Sequence, residues 1–349
     1  MTKIKNTRPP LESLACVFPA CDLYGQANQG NLIVRKIYGN DHIRYLRCRS
    51  CRKEFSERKN TALWNSKIDE DRAISIAEHL SEGCSMSSTS RLTKSDISTV
   101  QRLNRELGNH GQRFHETRVK DVHAENLQAD ERHGFAVDKK TAMWEAEVID
   151  PASKFVISHL QGRRSEEMIR SLMRDTASRL SSEIRHKIAF FTDGLSTYRS
   201  AFPEIFGTPY RPRKNGIRGR IPLLRYRIPR RLAHVQIVKH RANQRLKSVE
   251  IRYAHGSKKR IDQALESLGY NVPNTSAIER RNGTARRMSA AQVRKTLAFS
   301  RDPEQKDALG WWNLTVYNWC RAHRSLKIPL CAPLGKKSTN NDLRLWRSV

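Results

Sequence analysis

Three acidic residues far apart along the chain stand where chemistry is possible: Asp130 in "ADERHGF" (129–135), Asp193 in "FTDGLSTY" (191–198) and Glu279 in "NTSAIERRNGTARR" (274–287). Asp193 follows the apolar run 188–191, an expensive place for a carboxylate unless something satisfies its charge. Two aspartates on neighbouring strands would need a third carboxylate, because a pair of divalent ions roughly 4 Å apart takes several oxygen ligands. Glu279, Asn282 and Arg286 fall at i, i+3 and i+7 of a helix. A carboxylate, an amide and a guanidinium would then share one face, fit for metal ligation beside phosphate contacts. The competing reading of Glu279 is a capping box with Ser276, its carboxylate bonded to backbone N–H at the helix start. Glu131, Asp138, Glu145 and Asp150 are the nearby alternatives to Asp130, and Asp138 lies in a turn signal.

A second constellation is made of thiols. Cys16 and Cys21 are spaced C-x4-C, Cys48 and Cys51 C-x2-C, and 26 residues separate the pairs. Paired short spacings direct two thiolates each at one ion, which suits a structural, tetrahedral zinc with no open position. A segment this small buries too little apolar surface to fold alone, so metal binding would supply its folding free energy. The alternative is four reduced cysteines in chance pairs. Cys84, Cys320 and Cys331 are isolated, which argues for a reducing cytosol and against a disulfide framework.

The positioning elements follow from periodicity. Residues 68–83 read as an amphipathic helix, 85–92 as a short second helix, and 94–107 as a third with Val100, Leu103 and Leu107 inside. Three helices with tight connections fit a helix-turn-helix, with Ser98, Thr99, Gln101 and Arg102 facing a groove or its phosphates; a plain helical linker is the alternative. Strands are expected over 125–137, 141–149 and 155–160, then a helix over 165–180 capped by Ser165. The run 188–191 reads as a strand buried on both faces. A right-handed crossover would lay it parallel beside the first strand, so that Asp130 and Asp193 emerge side by side. Two helices are expected over 274–300 and 301–326, the second with Asp302 as cap and Pro303 at its first position.

The chain has 349 residues, with 65 Lys+Arg against 35 Asp+Glu and a formal charge of +30. Such an excess attracts a polyanion through counterion release, and double-stranded DNA is the favoured partner. There is no signal peptide, basic amphipathic anchor or long apolar run, so no membrane partner is expected. Residues 211–231 hold nine Lys/Arg and no acid. With the hairpin expected at 232–255, they read as a basic insertion, 208–273, that tracks phosphates or is simply solvated.

The blocks 129–135, 191–198, 274–287 with 295–300, and "YNWCRAHRSL" (317–326), together with the cysteine pairs and the helices after them, resemble the DDE transposases of the insertion sequence 1 family. The resemblance spans about residues 12–330. It implies an α/β, ribonuclease H-like mixed sheet with flanking helices, preceded by a zinc ribbon and a helical helix-turn-helix domain. The division it implies is 1–60 (zinc ribbon), 61–115 (helix-turn-helix), 122–330 (catalytic) and a tail at 331–349. It implies that Asp130, Asp193 and Glu279 are catalytic and hold two Mg²⁺, or Mn²⁺, while Asn282 and Arg286 match the helix positions that follow and would contact DNA. Cleavage at the ends of an insertion sequence and 3′-OH strand transfer into target DNA would follow, by a homodimer or larger assembly, in the cytoplasm at the nucleoid. A nuclease that cuts without joining, and a DNA-binding regulator, are the alternatives. The 85 residues between Asp193 and Glu279 exceed those of the family's shorter members, and Ala322 stands where similar tails often carry proline.

Overall fold

The computed structural model describes residues 9–39, 41–213, 221–243, 245–293, 295–323 and 326. The expected tail at 331–349, Cys331, and parts of the basic stretch and hairpin turn lie outside the described residues.

The N-terminal unit is a three-stranded antiparallel sheet, β1 (Leu32–Tyr38), β2 (Ile43–Cys48) and β3 (Glu54–Ser56), in that order. Its small core is Leu32, Leu46 and Phe55 packed on Cys16, Cys21 and Cys48. Three helices follow: α1 (Glu70–Ser81), α2 (Met86–Thr93) and α3 (Ile97–Arg118). Asp69 caps α1 by accepting from Arg72 N–H, and Ser85 caps α2 by accepting from Ser88 N–H, each meeting an orphan donor of the first turn. Val100, Leu103 and Leu107 are the inner stripe of α3, as its periodicity predicts.

The rest of the chain is a mixed α/β layer structure. Strands β4 (Asn126–Arg132), β5 (Trp144–Ile149) and β6 (Val156–Gly162) form an antiparallel meander. Helix α4 (Glu166–Arg179) crosses to β7 (Ala189–Thr192), which pairs with β4 in parallel, as the crossover rule predicts. Helix α5 (Ser196–Phe206) and two short strands, β8 (Thr208–Tyr210) and β9 (Arg225–Arg227), lead to the hairpin β10 (Ala233–Ala242) and β11 (Arg245–His255). Helices α6 (Lys258–Leu268), α7 (Ser276–Met288) and α8 (Pro303–Thr315), the last running into a π-helical turn at Val316–Cys320, complete the fold. The six-stranded sheet has the order β11-β10-β7-β4-β5-β6. One face packs α4 and α5 on Leu127, Ala129, Ala146 and Val148. The other packs α6 on Phe191, Val235 and Ile237, and α7 and α8 on Ile149 and Val156.

The basic stretch 208–273 holds the hairpin expected within it and contributes to the sheet. From Ala233 it supplies β10, paired in parallel with β7 from Ala233↔Ala189 to Gln236↔Thr192, and Ala233, Val235 and Ile237 are buried. The alternation of apolar residues there decides the placement, and the dense positive charge around it masks that signal. The helices after the cysteine unit pack on the α/β layers. The α1 and α3 stripes share one core with Ile278, Leu309, Trp311 and Trp312. Helix α3 runs past the expected end at 107 to meet α8, where a Cβ on Gly108 would lie 2.4 Å from Ala308 Cα. Asn104 Nδ2 donates to Gln305 across the same contact.

Gly108→Val would wedge these two helix backbones apart. Overpacking of this kind costs about 1–3 kcal/mol. Urea denaturation should show a lower midpoint for the whole α/β unit, not only for the first three helices, because the two share one core.

Candidate active site

Parallel pairing of β4 with β7 puts Gln128 opposite Phe191, and two residues further along each strand come Asp130 and Asp193. The two carboxylates therefore leave the sheet at the same level. Asp193 lies just beyond the end of β7, half-buried, where its Oδ1 accepts from Leu195 N–H at 3.0 Å. Its own carbonyl accepts from Gln236 of β10 at 3.1 Å. Asp130 lies on the face of β4 turned to α7, because Gln128, two residues before it, bonds the start of that helix. Gln128 Oε1 accepts from Ala277 and Ile278 N–H at 3.0 and 3.1 Å.

That contact answers the capping question. The first-turn donors of α7 are met by Gln128 and by Asn274, whose side chain accepts from Ser276 N–H. Glu279 is not bonded to backbone there; its carboxylate accepts from the Thr275 hydroxyl at 2.5 Å and from Lys239 Nζ, and 46% of its side chain is exposed. Its partners at the helix start are thus side chains, not the backbone N–H groups of a capping box. Burial pushes Glu279 upward, but the hydrogen bonds from Lys239 and Thr275 outweigh it and hold the carboxyl below its usual value.

Asp130 behaves oppositely. Burial, then repulsion from Asp193, Glu131 and Glu279, pushes it up to about 7. Asn282 is 3% exposed and holds Asp130 in place, its Nδ2 donating to Asp130 Oδ2 at 2.9 Å. Asn282 Oδ1 in turn accepts from Arg132 Nη1 at 3.1 Å. The helix face is the expected one, and the amide lies between the helix and the sheet, against Asp130. Arg286, one turn further on, is half-buried and lines an adjoining cleft.

Behind Asp130 lies a buried ion network that spacing alone does not disclose. Arg132 bonds Glu145 at 2.6 Å and Glu147 at 2.7 Å. Arg281 and His159 both bond Glu147, and Lys306 bonds Glu145 at 2.7 Å. All six side chains are nearly or wholly buried. Burial pushes both glutamates up, but Lys306 and Arg132 on Glu145, and Arg132 and Arg281 on Glu147, bring them well below the usual carboxylate range. The alternation of Glu145 and Glu147 with Ala146 and Val148 is the one sequence signal that could have found it.

The alternatives to Asp130 are accounted for. Glu131 faces the opposite side, accepting from Tyr198 Oη at 2.5 Å and Arg164 at 3.0 Å. Glu145 belongs to the buried network. Asp138 and Asp150 close turns by accepting from Lys140 and Thr141 N–H, and from Ala152 and Ser153 N–H.

The sulfurs of Cys16, Cys21, Cys48 and Cys51 all lie within 4.8 Å of one another. Cys16–Cys51 and Cys21–Cys48 are 3.7 and 3.9 Å apart, matching the roughly 3.8 Å edge of a tetrahedron with Zn–S near 2.3 Å. The cluster could therefore hold a zinc ion. Burial raises Cys48, but the N–H of Cys51 and the Asn31 amide, 3.1 Å from its sulfur, overcome this and bring it down to about 7. Burial sends Cys16 up to about 12. Among the described residues, the carboxylates Asp130, Asp193 and Glu279 do not draw together as tightly as these sulfurs. In the third helix Ser98 and Arg102 are exposed, while Thr99 and Gln101 are half-buried; the Gln101 carbonyl accepts from Gln305.

Two outcomes are expected. Purified protein should carry about one zinc per chain, released on Cys48→Ser with loss of the β1–β3 unit, as read by metal analysis and limited proteolysis. Asp130 gives a pH effect in metal-free protein. The folded form is raised to about 7 from an ordinary 3.8, so its contribution to stability is present below that ordinary value and lost as pH rises through about 7. Asp130→Asn should therefore melt higher than wild type at pH 8 in chelator, with the difference vanishing near pH 4.

Comparison with known proteins adds little to this geometry. No family model matches the chain, and no curated protein matches it. Among solved structures it is similar to a chain of the "Crystal structure of a pre-cleavage Mos1 transpososome", at 7% identity over 72% of this chain and 79% of that one, with a TM-score of 0.21. A likeness at that level leaves both fold and chemistry to be argued from the residues themselves.

Proposed function

We propose that the chain is a transposase of the DDE type, which cuts DNA at the ends of an insertion sequence and joins the freed 3′-hydroxyl to target DNA. The observation that carries this reading is the emergence of Asp130 and Asp193 at one level of two adjacent parallel strands, with Glu279 close enough to Asp130 to repel it. An antiparallel meander followed by two strands added in parallel through α4 and α5 supports a ribonuclease H-like catalytic unit. The zinc-ribbon spacing, the three closely connected helices and the charge of +30 support a DNA-binding N-terminal half.

The donor set fits Mg²⁺ or Mn²⁺. Carboxylate oxygens are hard ligands, and the burial and like-charge repulsion that raise Asp130 would both be offset by a divalent cation. Asp130, Asp193 and Glu279 would hold the ions. Once bound, a pair of them supplies an activated attacking oxygen, from water or a 3′-hydroxyl, and a stabilised leaving oxygen. The chain's own residues do the positioning. Asn282, itself fixed by Arg132, locks the rotamer of Asp130. Leu195 N–H holds Asp193. Lys239 neutralises Glu279 and, with Arg241 nearby, brings positive charge to the strand's phosphates. Two ends must be held at once, so a homodimer or larger assembly on DNA is part of the proposal.

The test is a joining assay with labelled DNA bearing the sequences that flank the gene, a target plasmid, and Mg²⁺ or Mn²⁺. Joined products are expected; cleavage without joining would favour a ribonuclease H-like nuclease instead. Asp193→Asn should abolish both cleavage and joining, yet bind the labelled ends within about twofold of wild type, since a lost carboxylate removes repulsion from phosphate. Full activity in that variant would sink the site assignment.

A further inference from the structure

Around Arg286 and the segment that follows α7, the chain forms a cleft of about 770 Å³ that the acidic site does not use. One wall is the segment leaving β4, with Phe135 and Val137; the other is the segment after α7, with Leu297 and Phe299. Phe135 and Phe299 meet with ring centroids 5.5 Å apart and planes tilted by 36°. Around them the apolar rim is open: Val137 is 52% exposed and Leu297 98%. Three cations, Lys139, Arg286 and Lys295, line the same cleft. Its acid, Asp138, is turned inward to its own loop, bonding Thr141 N–H and hydroxyl at 2.8 and 2.9 Å. The cleft therefore combines apolar ring surface with net positive charge.

We propose that this cleft receives one unpaired nucleotide of the DNA strand whose phosphate lies at Asp130, an inference that rests on the active-site reading above. The size is that of a small-molecule site, roughly 300–1,000 Å³, and so suits a nucleotide and not a duplex. A base offers a flat apolar face to Phe135 and Phe299 only when it has left its own stack. The cations answer its flanking phosphates. Position agrees as well: Arg286 follows Asn282 by four residues, about 6 Å along the helix axis, and Asn282 is bonded to Asp130. A nucleotide held here would lie next to the one being cut, so the enzyme would favour ends whose last pairs are already open.

The experiment compares two duplexes of the same flanking sequence in chelator, one fully paired and one with its terminal two or so pairs mismatched. Wild type should bind the open end about five- to tenfold more tightly, the scale of one stacked base. Phe135→Ala with Phe299→Ala should lose that preference while binding the paired duplex as before. Leu297→Asp, at a side chain already in solvent, should lose it without any change in melting temperature. Equal binding of both duplexes by wild type, or a preference that survives both variants, overturns the proposal. Because no cleavage occurs in chelator, the preference should persist in Asp193→Asn; a failed joining assay with the preference intact would remove the chemistry and leave the nucleotide site standing.

Discussion

Negative charge gathered on a buried sheet is the constraint around which this molecule is arranged. Asp130, Asp193, Glu131, Glu145 and Glu147 all lie on or at the ends of three neighbouring strands. Left alone, they would raise one another's pKa values and resist ionising. On β5 the charge is answered in full, since Arg132, Arg281 and Lys306 face two glutamates in a region closed to water. Buried pairs of this kind are weak evidence of stability, because desolvation offsets their attraction, yet removing one partner strands a charge at about 3–5 kcal/mol. Their value is geometric. They lock Arg132, which locks Asn282, which sets the carboxylate of Asp130.

At the strand ends the balance is left incomplete. Asp130 accepts from the Asn282 amide and the Glu131 N–H, yet burial, and then the like charges around it, keep it raised to about 7. Glu279 has a cation, but one on a flexible stem that rises from the exposed part of β10. A site saturated one layer down and under-neutralised at its rim is the arrangement on which the proposed cation binding rests. The same division separates structure from chemistry along a single strand: Arg132 belongs to the core, and Asp130, two residues before it, to the mouth.

The two halves of the chain are joined by the same economy of contact. Helix α3 needs a partner for its apolar stripe and finds it on α1 and α8 at once, and Gly108 and Gly111 allow the α3–α8 approach. Whatever the first three helices grip is thereby coupled to α8, which also carries Lys306 of the buried network. The hairpin β10–β11 has a comparable double role, with β10 starting in the core and ending in solvent beside Glu279.

Several features were legible from residue order alone. Spacing located the thiols of Cys16, Cys21, Cys48 and Cys51, because metal ligation in a small unit is a local matter of short loops. Periodicity located the meander, α4, and β7 as a strand buried on both faces, since amphipathic patterns report which side meets a core. The parallel neighbourhood of β4 and β7 followed from chirality. What tertiary structure decided is everything that depends on a partner distant in the chain. A capping box read from Ser276 and Glu279 gave way because Gln128, on another strand, already serves those N–H groups. Asn282 is buried beside Asp130 because its helix lies with that face on the sheet. Strand β10 joined the core despite its basic surroundings, since one buried face of alternating apolar residues outweighs charges that remain in water. Local spacing specifies what can be ligated or capped nearby; only the packed fold determines which groups are already spoken for.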